Sequence, residues 1–181
     1  MEIVCIDKID STHLFMCKKA RKGDIDKPFA LYALEQTGGV GSRDNSWQSQ
    51  RGNLHLSFCL KRENLAPDLP LSSLSIYFAF LFKEVLVANG SCVWLKYPND
   101  LYLDDKKVGG VMSAKINDFI IISTGINTKF APFNAATLDI NVDLADLVDK
   151  FAKEIEKNLF WKEIFSKYMI EFQKSKNYSF H

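Results

Sequence analysis

The sequence predicts an α+β fold, a mixed and mostly antiparallel sheet with helices packed on one face. Three observations carry that expectation. Asn53 to Leu60 alternates strictly, with Leu54, Leu56, Phe58 and Leu60 on one side, the pattern of a strand with one face on a core. The polar breaks Asp104-Asp105-Lys106 and Asn117-Asp118 separate apolar runs at hairpin spacing. From Ser72 to Ala88, Leu74, Phe78, Leu81, Val85 and Leu86 recur at helical spacing, widened by Tyr77 and Phe82, a stripe broad enough to cover one face of a sheet.

Each element follows in order. Glu2 to Ile9 alternates as a strand and runs into Asp10-Ser11-Thr12, whose hydroxyls can cap a helix that ends near Gly23. Phe29 to Glu35 is a second strand, and a glycine-rich loop from Gln36 to Trp47 follows. On the Asn53–Leu60 strand, His55 faces away from the leucines and reads as a surface or cross-strand residue rather than a base. Lys61 to Pro70 is rich in turn residues, and Gly90 ends the long helix. Val93 to Lys96 is a short strand, Pro98 bends the chain, and Leu101 and Leu103 lead into a hairpin that returns over Val108 to Ile116. Asn117-Asp118 suits a type I′ turn. Phe119 to Ser123 is almost wholly apolar, as in a strand buried on both faces. After an irregular stretch to Asn141, Leu144, Leu147, Val148, Phe151 and Ile155 define one helix, and Trp161 to Phe172 a last one. The order is β-α-β-β-α-β-β-β-β-α-α.

At 181 residues the chain is expected to form a single domain, 1–181, with a proper core. Its formal net charge of +1 supplies no general field for nucleic acid or an anionic membrane, so neither is an expected partner. Cys5, Cys17, Cys59 and Cys92 form no CxxC pair and read as small apolar fillers in a reducing cytoplasm. No signal peptide is expected before the first strand. The most apolar stretch, Leu71 to Asn89, holds three serines, Lys83 and Glu84, and reads as too polar to span a bilayer.

Chemistry concentrates in LKYPNDLYLDDKKVGGV. Lys96, Asn99, Asp100 and Lys107 crowd the bend and the returning arm, followed by Gly109-Gly110. Glycines beside a lysine permit close backbone approach to a ligand, and lysines converging on an Asn-Asp pair suit a phosphate and its metal. By spacing alone, an ordinary solvated hairpin with a charged tip is the better account of them. The loop Gln36–Trp47 has three glycines within four residues; exposed amides there can cradle an anion, or the segment is simply a surface loop. No Walker pattern is present, and the loop opens into a strand, which counts against P-loop and dinucleotide-fold chemistry.

The run KYPNDLYLDDKKVGGV resembles the signature of biotin protein ligases, written KWPNDLYL, a short turn, then K-[LV]-[AG]-G-[IV], with Tyr97 in place of the tryptophan. Three further blocks follow the family order, so the resemblance extends from Ile9 to Lys174. The [IV]DSTN block is present as IDSTH. In Q-x-x-GRGRxGRxW, Gln36, Gly39, Gly41 and Trp47 match, whereas Val40, Ser42 and Asn45 stand where the family has arginines, and Asp44 replaces a glycine. Ser49, Gly52, Asn53, Leu54 and Ser57 continue the pattern beyond Trp47. G-x-G-I-N is matched by Gly125, Ile126 and Asn127, with Ser123 for its first glycine.

The resemblance implies the catalytic fold shared with lipoate ligases and a biotin–[acetyl-CoA-carboxylase] ligase activity. It assigns biotin to Ser11, Thr12, His13, Gln36, Gly39, Val40, Gly41, Ser42, Lys107 and Gly110. Adenylate falls to Arg43, Trp47, Asn99, Asp100 and Asn127. Lys107, Lys96 and Asp100 are the catalytic candidates, with Mg²⁺ carried by ATP near Asp100. The implied partners are biotin, ATP and a biotin carboxyl carrier protein domain, and the family's habit of pairing along a sheet edge allows a homodimer. Neither the DNA-binding module nor the C-terminal β-barrel of some relatives is expected. Two alternatives stay open: a lipoate or octanoate transferase, and a biotin or nucleotide sensor without turnover.

Overall fold

The computed structural model describes residues 1–42, 45–176 and 178. Seven strands form one sheet: β1 (Glu2–Ile9), β2 (Phe29–Gln36), β3 (Leu54–Lys61), β4 (Trp94–Lys96), β5 (Asp100–Leu103), β6 (Lys106–Ile116) and β7 (Phe119–Ile126). Their spatial order is β1-β2-β3-β7-β6-β5-β4. Only β1 and β2 run parallel, joined by the crossover helix α1 (Thr12–Lys22); every other neighbouring pair is antiparallel. The remaining helices are α2 (Leu74–Ala88), α3 (Leu144–Glu156) and α4 (Trp161–Ser175). The expected mixed, mostly antiparallel α+β class and the predicted element order are what is found.

The expectation of helices on one face is corrected. On β2, β3 and β7 the even-numbered Ala30, Tyr32, Leu56, Phe58, Ile120 and Ile122 pack with α2, α3 and α4. The odd-numbered Leu31, Cys59 and Ile121 pack instead with Met16, Cys17 and Ala20 of α1. The sheet is therefore covered on both faces, α1 alone on one and three helices on the other. The reason lies in the parallel β1–β2 pair, since a crossover helix between parallel strands must lie back over the sheet.

Local chemistry sets the ends of α1. Ser11 Oγ accepts from the Leu14 N–H at 3.3 Å, and Gly23, at φ 75°, lets the chain turn out of the helix while the Gly23 and Asp24 N–H groups return to Ala20 and Lys19. On the opposite face, Phe82 packs against Phe151 at 4.5 Å between ring centres and against Phe58 at 5.9 Å. The buried Tyr77 donates its hydroxyl to Leu159 O at 2.8 Å, and burial pushes its phenol up to about 12. Leu71–Ala88 does reach a membrane span's length and mean hydropathy, so composition alone does not exclude it. Its burial, however, is that of a core helix, with ten residues of α2 inside.

Three smaller expectations are also revised. Of Asn117 and Asp118 only Asn117 has positive φ, 53°, so the β6–β7 turn is not type I′. Cys17 and Cys59 are buried fillers, but Cys5 and Cys92 are exposed. His55 is not a surface residue; it is 1% exposed.

The edge strand β4 is held by α4. Glu171 accepts the Leu95 N–H, and Ser175 Oγ accepts from Tyr97 N at 2.9 Å while donating to Leu95 O. The last helix thus fixes the Tyr97-Pro98 bend from which Asn99 and Asp100 project.

Candidate functional site

A row of register partners crosses the sheet beneath the site: Ala33 on β2, His55 on β3, Gly125 on β7, Gly110 on β6, Asp100 on β5 and Lys96 on β4. The two glycines in the middle leave a trough. The Trp47 indole lies against Gly125, where an added Cβ would meet its Cε2 at 2.5 Å. The Lys107–Asp100 pair lies over Gly110, where a Cβ would fall 2.9 Å from Asp100 Oδ1 and 3.5 Å from Lys107 Nζ. Glycine is needed at both places for close approach rather than for backbone freedom.

Lys107 reaches this face through a bulge. Leu101 pairs with Gly109 and Tyr102 with Lys107, which leaves Val108 unmatched. Val108 and Val111 both enter the core, so strict alternation is broken between them. Lys107 is thereby returned to the side of Gly110, and its ammonium pairs with Asp100 Oδ1 at 2.8 Å.

Two recesses meet at Lys107. The inner one, about 60 Å³, is walled by Ser11, Thr12, His13, Gln36, Val40, Gly41, Ser42, Trp47, Asn99, Asp100, Lys107 and Gly110. The outer one, about 390 Å³, shares Gly41, Ser42, Trp47 and Lys107 with it and adds Asn127. Among the described residues, Lys107 is the one cation lining either recess. The second lysine of the hairpin tip, the glycine loop and the Gly-Ile-Asn turn thus share one cavity.

Gly39 and Lys96 stand apart. Gly39 is packed under the loop, where a Cβ would meet Ser49 Oγ at 2.5 Å. Lys96 is buried with its ammonium 3.4 Å from Tyr102 Oη and over the Tyr102 ring at 4.8 Å, outside the residues lining the cavity. The role of catalytic support expected for Lys96 is therefore not matched by its position, because it points toward its strand neighbour Tyr102. Arg43 lies outside the described residues.

Sequence reasoning missed His55, Ser123, Thr124, Val111 and Met112, all on the inner wall. His55 Nε2 reaches Gln50 O at 3.3 Å, and its Nδ1 has no partner. Burial holds its imidazole below the ordinary range, against an opposing pull from the Gln50 carbonyl. The Trp47 Nε1–H and the Asn127 Oδ1 are likewise buried without partners, while Asn127 Nδ2 donates to Ala136 O at 3.2 Å. Buried polar atoms are rarely left unpaired; His55 lines the inner recess, Asn127 the outer one and Trp47 both. The described residues contain no cluster of three metal-ligating side chains.

A mixed sheet with a crossover helix at its start, a glycine loop over a lysine–aspartate pair, and an asparagine turn beside them define the class. The chain belongs to the biotin/lipoate A/B protein ligase family, whose model matches residues 5–127. It is 30% identical to the bifunctional ligase/repressor BirA of Salmonella typhimurium, over 97% of this chain and 60% of that protein. It thus spans about 60% of the length of the curated relatives it matches. Its structure is similar to that of the Helicobacter pylori biotin acetyl coenzyme A carboxylase synthetase with bound biotinylated ATP. The TM-score is 0.94 at 37% identity, covering 100% of this chain and 86% of that one. The Aquifex aeolicus biotin protein ligase in complex with biotin and ATP matches with a TM-score of 0.73 at 27% identity, over 87% of this chain and 69% of the other.

Proposed function

We propose that the chain, as one catalytic domain spanning 1–181, joins biotin to ATP as biotinyl-5′-adenylate and then passes the biotin to a lysine of a carboxylase carrier domain. The observation that carries this reading is the placement of the Lys107 ammonium where the two recesses meet, paired with Asp100. In the first step a biotin carboxylate oxygen attacks the α-phosphorus. The bond to the bridging oxygen breaks, and pyrophosphate leaves with the electron pair. Two anions must be brought together, so a fixed cation at the junction lowers the barrier by stabilising the charge in the transition state.

Lys107 is placed to bridge the carboxylate and the α-phosphate. Mg²⁺ enters with ATP, and Asp100 is a carboxylate at that junction, paired with Lys107; one carboxylate plus phosphate oxygens and water is the usual Mg²⁺ arrangement. Trp47 offers an indole face to the adenine, and Asn127 Oδ1 an acceptor to its amino group. The inner recess, with Ser11, Thr12, His13 and Gln36 at its floor, takes the neutral bicyclic head, and the loop 37–42 covers it against water. In the second step the neutral amine of the acceptor lysine attacks the acyl carbon, AMP leaves, and Asp100 is placed to receive the amine's proton.

The reading is tested by incubating the chain with biotin, Mg-ATP and a biotin carboxyl carrier domain, and following the carrier's intact mass. Addition of one biotin to the carrier, lost when its target lysine is changed to arginine, is the expected result. Modification by lipoate or octanoate instead, or no modification under any acid, overturns it in favour of a lipoyl transferase or a sensor respectively.

A further inference from the structure

The floor of the inner recess carries hydrogen bonds whose proton order can be counted. The Thr12 N–H can only donate, so the Gln36 atom 2.8 Å away is the carbonyl Oε1, and Nε2 points the other way to donate to Ser49 Oγ at 3.1 Å. Oε1 only accepts, so Thr12 Oγ1, 3.1 Å from it, spends its single proton there. Ser57 Oγ must then donate to Thr12 Oγ1 at 2.9 Å. That leaves Ser57 no proton for Ser123 Oγ at 2.8 Å, so Ser123 donates to Ser57. Ser123 in turn has none for His13 Nδ1 at 2.8 Å, so Nδ1 carries a proton and donates.

The other ring nitrogen completes the count. His13 Nε2 faces Cys17 Sγ at 3.5 Å, one helical turn along α1. Burial, and then the charge of Arg21, hold the imidazole below its ordinary range, and burial holds the Cys17 thiol above its own. A neutral ring with the proton on Nδ1 has a bare Nε2, which takes the thiol S–H.

We propose that His13 is the neutral Nδ1–H tautomer, one link in a one-way donor chain Cys17 → His13 → Ser123 → Ser57 → Thr12 → Gln36. This order commits the hydroxyl protons of Ser123, Ser57 and Thr12 and leaves Ser123 and Thr12 facing the recess with lone pairs. Such a floor selects a ligand head that brings its own N–H donors. The selectivity rests on the ligase reading: the ring urea of biotin carries N–H groups on both nitrogens, and the dithiolane of lipoate carries none. His13 acts here as a positioning residue through Ser123.

Two measurements on the full chain test this separately. In nitrogen-15 imidazole spectra at pH 8, with His13 assigned by its loss in H13N, Nδ1 should be the protonated nitrogen and Nε2 the bare one. A proton on Nε2 overturns the chain order whatever the enzyme does. In adenylation kinetics at the same pH, H13N keeps a donor toward Ser123, whereas H13D, of the same shape, offers only acceptors. H13D should raise KM for biotin by about 10- to 100-fold over H13N, the effect of an unmatched buried hydrogen bond, with the loss on KM rather than kcat. Equal KM values in the two variants overturn the positioning role. Lipoate binding as tightly as biotin overturns the selectivity, and an enzyme inert toward biotin that still shows Nδ1–H removes the ligase reading while the proton order stands.

Discussion

Lys107 Nζ stands 2.8 Å from Asp100 Oδ1, although the two residues lie on adjacent strands whose ordinary register would send the lysine into the core. The unmatched Val108 turns Lys107 back to the open face, and Gly110 keeps the space above the sheet clear for both side chains. The pair sits at the junction of a recess walled by hydroxyls and a wider one walled by Trp47 and Asn127. A cation held there by its own carboxylate is oriented before any substrate arrives.

Ser42 lines both recesses at a position where the family's loop carries arginine. A serine cannot grip a carboxylate and a phosphate together as a guanidinium does. The Ser42→Arg variant should therefore release free biotinyl-adenylate at least tenfold more slowly, since a charge-assisted contact contributes about 1.5–3 kcal/mol. Adenylate released into solution per turnover is the quantity to measure, and an unchanged rate would show that the loop position does not touch the intermediate.

Gly125→Ala inserts a methyl group 2.5 Å from Trp47 Cε2 and 2.6 Å from its Nε1. The indole is rigid and cannot yield without leaving the trough. KM for ATP should rise about tenfold, as expected for disturbing an aromatic stack worth roughly 1–3 kcal/mol, and the tryptophan emission should shift. Unaltered KM and emission would place the adenine elsewhere.

Asn53 is 1% exposed and ties the irregular segment after β7 to β3. Its Oδ1 accepts from Lys129 N and Phe130 N at 3.0 Å, and its Nδ2 donates to Phe130 O at 2.8 Å. Asn53→Ala strands all three backbone groups and should cost about 2–4 kcal/mol. Urea unfolding followed by circular dichroism measures it; a change under 1 kcal/mol would mean the segment is held by other contacts.

Acid should weaken the fold through His13 and His55. Both rings are depressed below the ordinary 6.5 by burial, so each is neutral in the folded chain at pH values where the unfolded chain has already taken up a proton. Stability is thus complete above 6.5 and declines as pH falls from there toward the folded values, by at most about 1.4 kcal/mol per pH unit for each ring. Urea midpoints at pH 7.5 and 5.5 should differ in wild type and differ less in H13N. A midpoint that rises on acidification would contradict the burial of both rings.

The order of elements along the chain, the hairpins and the residues of the lysine-bearing arm were legible because each rests on local spacing. The inner wall was not, and one assumption explains most of the loss. With helices expected on a single face, the odd-numbered side of β3 was left without a cover, and His55 read as a surface or cross-strand residue. The signal was available: Ile121 and Ser123 sit in an almost wholly apolar strand, which requires both faces to be covered, and α1 is the helix that covers the second. Lys96 misled for a different reason. Sequence proximity to Asn99 and Asp100 places it on the same sheet row, but not its ammonium, which Tyr102 holds. The bulge at Val108 has no sequence mark beyond two adjacent glycines, because register is decided by the partner strand.

The central claim is that this chain activates biotin with ATP at Lys107. It is tested most directly by biotin-dependent exchange of labelled pyrophosphate into ATP, in wild type and in Lys107→Ala. The account predicts exchange with biotin and none without it, and a loss of at least a hundredfold in the variant, since removing a cation from a charged transition state costs about 3 kcal/mol or more. Exchange in Lys107→Ala within tenfold of wild type, or no biotin-dependent exchange in wild type, would contradict it.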